Sequence, residues 1–121
     1  MSEAQAKAEV VSIARDLTAF QQNILVILSE EAMYGLAIKR ELESYYDAEV
    51  NHGRLYPNLD DLVEAGLVEK SELDKLTSQS ERTEAGRKAV LDHGNWTVGK
   101  YVTDEDRAGD VRGLVGDALD A

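Results

Sequence analysis

One stretch of the sequence, residues 51–68, constrains the fold more than any other part of the chain. Four of its apolar residues fall at i, i+4, i+7 and i+8, the spacing of one buried helical stripe: Leu55, Leu59, Leu62 and Val63. Asn51 is a candidate N-cap, because its short side chain can accept a hydrogen bond from an amide of the first turn. Gly66 ends the stripe, where a glycine with positive φ would close the helix. The stretch therefore predicts a helix that buries one leucine-rich face.

Pro57 leaves the beginning of this helix open. In a regular helix starting at Asn51, Pro57 would deny the Gly53 carbonyl an amide partner and would clash with it. Either the regular helix begins nearer Tyr56, with Pro57 in its first turn, or the first turn is distorted. Both arrangements are compatible with the sequence.

Residues 51–59 contain no acidic residue, in a chain with 24 Asp and Glu, 13 Lys and Arg, and a net charge of −11. A polar helix tip without carboxylates suits contact with a polyanion, because phosphates repel acidic side chains. In a helix-turn-helix, residues at this end read base edges, where Arg can pair with guanine and Asn with adenine. Five side chains are therefore candidate contacts to double-stranded DNA: Asn51, His52, Arg54, Tyr56 and Asn58.

Each of these residues also has a structural interpretation. Asn51 could serve only as a helix cap, with about equal weight. Arg54 could form a surface salt bridge with a carboxylate such as Asp61, although we favour DNA contact. The Tyr56 ring could pack in the core while its hydroxyl reaches a phosphate.

Length and composition narrow the class of protein. A chain of 121 residues accommodates one domain with a modest core. The absence of cysteine excludes disulfides, thiolate catalysis and Cys-ligated zinc. No apolar run approaches the roughly 18–20 residues of a membrane span, and the N-terminus shows no secretory signal. We expect a cytoplasmic protein without a membrane partner.

The acidic balance, with a pI near 4.5, argues against non-specific binding to nucleic acid. One interpretation is an ordinary solvated acidic surface. A second is adaptation to a very salty cytosol, which we favour. In molar salt the Debye length falls to about 3 Å, so like charges hardly repel and dense carboxylates keep the surface hydrated.

The first half of the chain predicts a helix-turn-helix. Thr18 and Gln21 form a capping box ahead of a largely buried helix. Gly35 opens a second helix that ends near Tyr46. Only residues 47–50 separate it from the leucine-rich stretch, as in a helix-turn-helix.

A β-hairpin is predicted next, from strands at 67–73 and 78–82, and Thr83 can cap a following helix. The order helix, helix, helix, hairpin, helix is that of a winged helix-turn-helix, mainly α with a small β-hairpin. An acid-poor patch on this wing gives further candidate DNA contacts, or simply an exposed turn: Lys75, Thr77, Ser78, Gln79 and Arg82. Lys39 and Arg40 could reach phosphates or belong to a solvated face.

The C-terminal part carries an apolar stripe that Gly94 and Gly99 can interrupt: Val90, Leu91, Val98 and Tyr101. Three glycines share one face of the tail: Gly109, Gly113 and Gly116. Glycine costs a free helix about 0.8–1.0 kcal/mol relative to alanine. The tail is therefore either packed, for example on a second subunit, or loose, and we favour packing.

Specific motifs carry a resemblance to a known family. Leu55-Tyr56-Pro57 stands at the start of the candidate recognition helix, and Gly66-Leu67-Val68 forms its exit. With Tyr34-Gly35-Leu36 at the head of the preceding helix, these motifs resemble the PadR-like family of winged-helix transcriptional regulators. Further segments look like haloarchaeal members of it: Leu17 to Gln21, Thr83 to Arg87, and Trp96. The resemblance covers roughly residues 16–101.

The resemblance implies a homodimer on a pseudo-palindromic site, and haloarchaeal relatives suggest a role in oxidative stress. It divides the chain into an N-terminal arm (1–15), a winged helix-turn-helix domain (16–82) and a C-terminal helical dimerisation segment (83–121). The implied dimer contacts are Val11, Ile13, Val90, Trp96, Val98 and Tyr101. The chain departs from the family at the second wing strand, where relatives often carry aromatic residues, so the wing could be short or read differently.

Other function classes have weaker support. His52 and His93 are far apart and lack a ligand spacing motif, so we expect no metal site and no cofactor. The chain has no phosphate-binding glycine loop and no nucleophile motif, which argues against an enzyme. A winged-helix module that binds only protein remains the alternative, although the acid-free tip favours DNA, with inorganic ions at the interface.

Overall fold

A computed structural model of the chain describes residues 2–72 and 78–121, and the side chains of residues 6–8, 11 and 72 are outside the description. These residues form the following helices: α1 (Glu3–Arg15), α2 (Ala19–Ile27), α3 (Gly35–Tyr46), α4 (His52–Glu64), α5 (Glu84–Tyr101) and α6 (Glu105–Asp120). The strands are β1 (Met33–Tyr34), β2 (Val68–Glu72) and β3 (Ser78–Arg82). The predicted fold class is confirmed: the chain is mainly helical, with a small antiparallel sheet.

The hairpin is confirmed, but it is part of a three-stranded sheet with the order β1-β3-β2. Strand β3 pairs antiparallel with both neighbours, so that Ser80 lies opposite Lys70 on one side and Met33 on the other. Strand β1 was not predicted, because two residues are too few to show the alternation of a strand. Through β1, the wing is hydrogen-bonded to the chain immediately before α3.

The chain forms two compact units that divide after Val90. The first unit contains the core, made of twelve buried apolar residues: Phe20, Ile24, Leu25, Leu28, Ile38, Leu42, Val50, Leu55, Leu59, Leu62, Leu67 and Val68. Leu55 and Leu62 are fully buried, Leu59 is 5% exposed, and Val63 packs against the cluster. The predicted stripe of α4 is therefore confirmed as the face that joins the core.

Both ends of α4 follow the sequence. The Asn51 side chain accepts a 2.8 Å hydrogen bond from the Arg54 amide, so the predicted cap is confirmed. Gly66 has a φ of +79°, a conformation that a side chain would strain, and it follows the last turn. Because the helix begins at His52, Pro57 lies inside it rather than in its first turn. The carbonyl that Pro57 leaves without an amide partner belongs to Gly53, which is exposed and can bind water.

Thr83 fixes the start of α5 against the turn that follows α4. Its hydroxyl donates a 2.8 Å hydrogen bond to the Gly66 carbonyl and accepts one from the Gly86 amide. A methyl group at Gly86 would collide with the Leu67 carbonyl oxygen and the Arg82 side chain. Glycine is therefore required at position 86 by close packing against backbone.

The glycines that could interrupt α5 do not do so, because the helix continues through Gly94 and Gly99 to Tyr101. Asp104 caps α6, and the Tyr101 hydroxyl donates a 2.6 Å hydrogen bond to Asp110. That carboxylate raises the pKa of Tyr101, since it stabilises the protonated phenol. The glycine-bearing tail is helical, and none of its residues is buried.

Within the described ranges, the helices are too short or too polar to cross a membrane.

A pair of glycine substitutions tests this packing. We expect Gly86→Ala to lower the free energy of unfolding by roughly 2–3 kcal/mol, because the backbone at Leu67 cannot move aside without disturbing the core. The measurement is urea unfolding in concentrated KCl at a fixed protein concentration.

Gly94→Ala is the matched control on the same helix. Nothing lies within 4 Å of a methyl group at that position, so the better helix propensity of alanine should leave stability unchanged or raise it by up to about 1 kcal/mol. Equal effects of the two substitutions would contradict the packing described for Gly86.

Candidate DNA interface

The first turns of α4 separate two kinds of side chain. Leu55 and Leu59 point into the core, whereas the intervening and preceding residues lie on the surface. We call residues 51–58 the reading edge. Its exposed members are Asn51, His52, Gly53, Arg54, Tyr56 and Pro57, and Asn58 is half-buried. The segment without acidic residues is thus also the exposed end of the helix.

Tyr56, in the Leu55-Tyr56-Pro57 motif, contacts Gly35, in the Tyr34-Gly35-Leu36 motif. A methyl group at Gly35 would lie 2.6 Å from the Tyr56 hydroxyl, so the phenol packs directly on the backbone that opens α3. On its other side, the Tyr56 ring stacks on His52, with ring centroids 5.4 Å apart and an angle of 4° between the planes. Gly35 provides the space that Tyr56 requires.

A surface cleft of about 430 Å³ lies beside Tyr56. It is lined by Tyr34, Gly35, Leu36, Ala37, Arg40, Tyr56 and Ser78. The cleft contains the first turn of α3, and no side chain caps that turn, since Tyr34 at the cap position makes no such bond. Uncapped amides and the Arg40 guanidinium make the electrostatic potential here more positive than the net charge of the chain suggests.

Lys39 and Arg40 differ in their availability for contact with a phosphate. The Lys39 ammonium lies 3.1 Å from the Glu43 carboxylate, which also accepts a hydrogen bond from the Val50 amide. The Val50 amide first, and Lys39 second, lower the pKa of Glu43. Lys39 is therefore partly neutralised by the helix-turn-helix itself, whereas Arg40 faces the cleft.

Arg54 does not adopt the salt bridge that the sequence allowed. Its guanidinium carbon lies 4.0 Å from the centroid of the Phe20 ring and 5.7 Å from that of Tyr46. Among the described residues it forms no ion pair with Asp61. The guanidinium is stacked on aromatic rings of α2 and α3.

The side chains of both candidate Asn residues form hydrogen bonds within the protein. The side-chain oxygen of Asn51 caps α4, as described above. The side-chain nitrogen of Asn58 donates a 2.7 Å hydrogen bond to the Arg54 carbonyl. Its side-chain oxygen accepts a 3.1 Å hydrogen bond from the Gln21 side chain. Sequence reasoning missed Gln21 as a contact of α4, because its role in the capping box accounted for its position.

The described residues of the wing are less available for contact with DNA than the sequence suggested. Ser78 lines the cleft, and both Ser78 and Gln79 are half-buried. The Arg82 guanidinium donates a 2.6 Å hydrogen bond to the Ser29 hydroxyl, just after the end of α2. Lys75 and Thr77 lie outside the described residues. Arg82 therefore has a partner within the fold.

The candidate dimer residues are mostly exposed apolar groups. Ile13 is 46%, Trp96 62%, Val98 42% and Tyr101 44% exposed. Val90 differs, because it is half-buried against the core of the first unit. The side chain of Val11 lies outside the described residues. The second unit, which contains Trp96, Val98 and Tyr101, exposes further apolar residues: Leu91, Leu114, Val115 and Leu119.

No cluster of three or more potential metal ligands occurs among the described side chains.

Comparisons with known proteins identify a family and its fold. Residues 24–91 match the model of the transcriptional regulator PadR-like family. One solved structure, a complex of RosR termed hsRosR-S4, is 63% identical, with a TM-score of 0.86 over 91% of this chain and 96% of that one. RosR of H. salinarum, grown from NaBr, is 64% identical, with a TM-score of 0.83 over 88% of this chain and 96% of that one.

Bacillus subtilis PadR in complex with operator DNA shares the fold, at 21% identity and a TM-score of 0.54, over 63% of this chain and 46% of that one. No curated protein sequence matches this chain.

Proposed function

Because the chain belongs to the PadR-like family of transcriptional regulators, we propose that it binds double-stranded DNA as a homodimer. Each protomer places its reading edge, residues 51–58, in one half of a pseudo-palindromic site. The observation that carries this proposal is the exposed end of α4, which is free of carboxylates although the chain has a net charge of −11. A surface that must approach phosphates is the surface on which acidic residues cost most.

The side chains of the reading edge have separate roles in this proposal. His52 and Arg54 face base edges, where an Arg can donate two hydrogen bonds to guanine. The cleft beside Tyr56 receives a backbone phosphate, supported by Arg40 and the uncapped amides of α3. Asn51 and Asn58 hold the shape of the helix start, since the structure engages both side chains internally.

Ser78 and Gln79 belong to the proposed interface through strand β3. Lys75 and Thr77, which lie outside the described residues, are proposed from the sequence as further DNA contacts. Arg82 supports the interface indirectly, because its hydrogen bond to Ser29 joins β3 to the residues that follow α2.

The proposed dimer uses the apolar side chains that the second unit and α1 expose. Trp96, Val98 and Tyr101 are each more than 40% exposed, and large apolar side chains exposed on one element are typical of an interaction surface. Ile13 and Val90, which belong to the first unit, are proposed as further dimer contacts. Two reading edges on one symmetric particle would then read a pseudo-palindromic site, as in other helix-turn-helix dimers.

We also propose that the protein works at high salt. The acidic composition and the identity of 64% to H. salinarum RosR support this proposal. In molar salt, repulsion between the acidic surface and DNA is screened within about 3 Å. Inorganic cations at the interface would neutralise carboxylates that approach the phosphates.

The proposed role is regulatory rather than enzymatic, in the cytoplasm, and the family supports both points. Because the chain has no cysteine, any response to oxidants is indirect, through salt, a metal or a partner. A module that binds only protein would need no segment free of acids, so the composition of the reading edge favours DNA.

Selection of bound sequences from random DNA in concentrated KCl tests the DNA proposal. We expect a pseudo-palindromic consensus for the natural sequence. Arg54→Ala should bind the consensus at least about tenfold more weakly and lose preference at one position of each half-site, because one bidentate pair contributes about 1–3 kcal/mol of discrimination.

Arg87→Ala is the matched control, since it also removes one exposed arginine, here paired with Glu84 on α5. It should leave the consensus unchanged. If the natural sequence selects no consensus while its melting curve shows a folded protein, the interaction-module alternative replaces the DNA proposal.

The dimer proposal is tested by light scattering in concentrated KCl. We expect a particle of twice the 13.3 kDa chain mass. Val98→Lys should convert it to a monomer, because a buried ammonium at an apolar interface is costly. Val26→Lys is the matched control, as Val26 is 54% exposed near the end of α2. A monomeric natural protein, or a dimer that survives Val98→Lys, would contradict the proposed interface.

A further inference from the structure

We propose that Phe20 and Tyr46 form an aromatic shelf that positions Arg54 for base recognition, so that specificity depends on two residues outside the reading edge. This inference rests on the proposed function, because it assigns a cause to the orientation of a DNA-contacting side chain. Phe20 belongs to α2 and Tyr46 to the end of α3, so neither lies on the recognition helix. Both are positioning residues, which act on DNA only through Arg54.

The geometry of the shelf is well defined. The Phe20 and Tyr46 rings stack with centroids 6.1 Å apart and an angle of 18° between their planes. The guanidinium carbon of Arg54 lies 4.0 Å from the Phe20 centroid, which is contact distance for stacked planar groups. The Tyr46 ring, at 5.7 Å, extends the same apolar surface.

Hydrogen bonds fix both the shelf and the backbone of the arginine. The Tyr46 hydroxyl accepts a 2.8 Å hydrogen bond from Asn23 of α2. The Arg54 carbonyl accepts one from Asn58, whose amide oxygen is in turn held by Gln21. The side chain and the main chain of Arg54 are therefore both tied to α2.

Stacking covers the face of the guanidinium and leaves its edge open. Arg54 is exposed as a whole, whereas Phe20 beneath it is only 5% exposed. Within residues 2–72 and 78–121, its guanidinium donates no hydrogen bond. The N–H groups that could pair with guanine O6 and N7 are thus unused, while the plane that carries them is fixed.

This arrangement has a consequence for binding. A free arginine loses rotamer entropy when it pairs with a base, at a cost of up to about 2 kcal/mol of ordering. An arginine already held on a shelf has lost part of that entropy during folding, so more of its pairing energy appears as discrimination. Lysine cannot replace it, because an ammonium has neither a planar face nor a fixed pair of donors.

A competing interpretation is that Arg54 only shields Phe20 from water. In that case its aliphatic stem and guanidinium contribute to stability, and removing the aromatic face changes folding but not the choice of base. The two interpretations differ in what happens to discrimination when the ring is removed and Arg54 is kept.

The experiment is a double-mutant cycle on the selected DNA site in concentrated KCl. The natural sequence, Phe20→Leu, Arg54→Ala and the double variant are each titrated onto the selected duplex. Each guanine of the duplex is replaced in turn by 7-deazaguanine, which lacks the N7 acceptor. The quantity compared is the ratio of the two dissociation constants at the most sensitive position.

We expect a ratio of up to about tenfold for the natural sequence, because 7-deazaguanine removes one of the two hydrogen bonds of a bidentate pair that contributes about 1–3 kcal/mol. Phe20→Leu should lower this ratio several-fold, and Arg54→Ala should bring it to about one. In the double variant Phe20→Leu should have no further effect. Tyr46→Phe keeps the ring but loses the hydrogen bond from Asn23, so it should keep most of the ratio. Tyr46→Leu removes the ring and should lower the ratio further.

Ile24→Val is the control for stability, because it changes a buried residue of the same helix without altering an aromatic face. It should keep the natural ratio even if its melting temperature falls. If Phe20→Leu does not fold, the pair Tyr46→Phe and Tyr46→Leu decides, since Tyr46 is only half-buried.

The shelf is contradicted if Phe20→Leu and Tyr46→Leu keep the natural ratio. It is also contradicted if Phe20→Leu lowers the ratio by the same factor in the Arg54→Ala variant as in the natural sequence. A natural sequence that selects no DNA, or an Arg54→Ala variant with an unchanged ratio, contradicts instead the assignment of Arg54 to base recognition. The failure of the shelf and the failure of the proposed function are therefore distinguishable.

Discussion

Burial of the leucine face of α4 determines how the elements of the first unit are arranged around that helix. Leu55 and Leu62 are fully buried and Leu59 nearly so. A helix with these side chains in the core has no freedom to rotate about its axis, because a turn of even one residue would expose a leucine. The direction of every other side chain on α4 follows from this, including Arg54.

Helices α2 and α3 contact the exposed end of α4 and orient two of its side chains, Arg54 and Tyr56. Helix α2 supplies Phe20 beneath Arg54, and the first turn of α3 supplies Gly35 beneath Tyr56. Both contacts are between an exposed polar residue of α4 and a part of the molecule that the core already holds. The reading edge is therefore supported by packing from two directions, which favours one geometry over many.

Local signals in the sequence predicted much of the fold. The Asn51 cap, the exit at Gly66 and the hairpin all depend on interactions between neighbours in the chain, which residue type and spacing reveal. Local signals did not decide the helix start at His52, because the Asn51 cap and Pro57 indicated different first residues. Long-range contacts such as Gln21 with Asn58 leave no pattern in a single sequence, so the internal engagement of these side chains was not foreseen.

We propose that this acidic chain recognises DNA through base contacts on the reading edge rather than through net positive charge. The most direct measurement is the affinity for the selected duplex and for a scrambled duplex from low to molar KCl, with folding checked at each salt concentration. We expect a shallow or rising dependence of affinity on salt, with preference for the selected duplex retained in molar KCl. An ordinary binder loses affinity with a slope near −0.9 for each phosphate contact. A steep loss of that kind, with the preference gone in molar KCl, would contradict it.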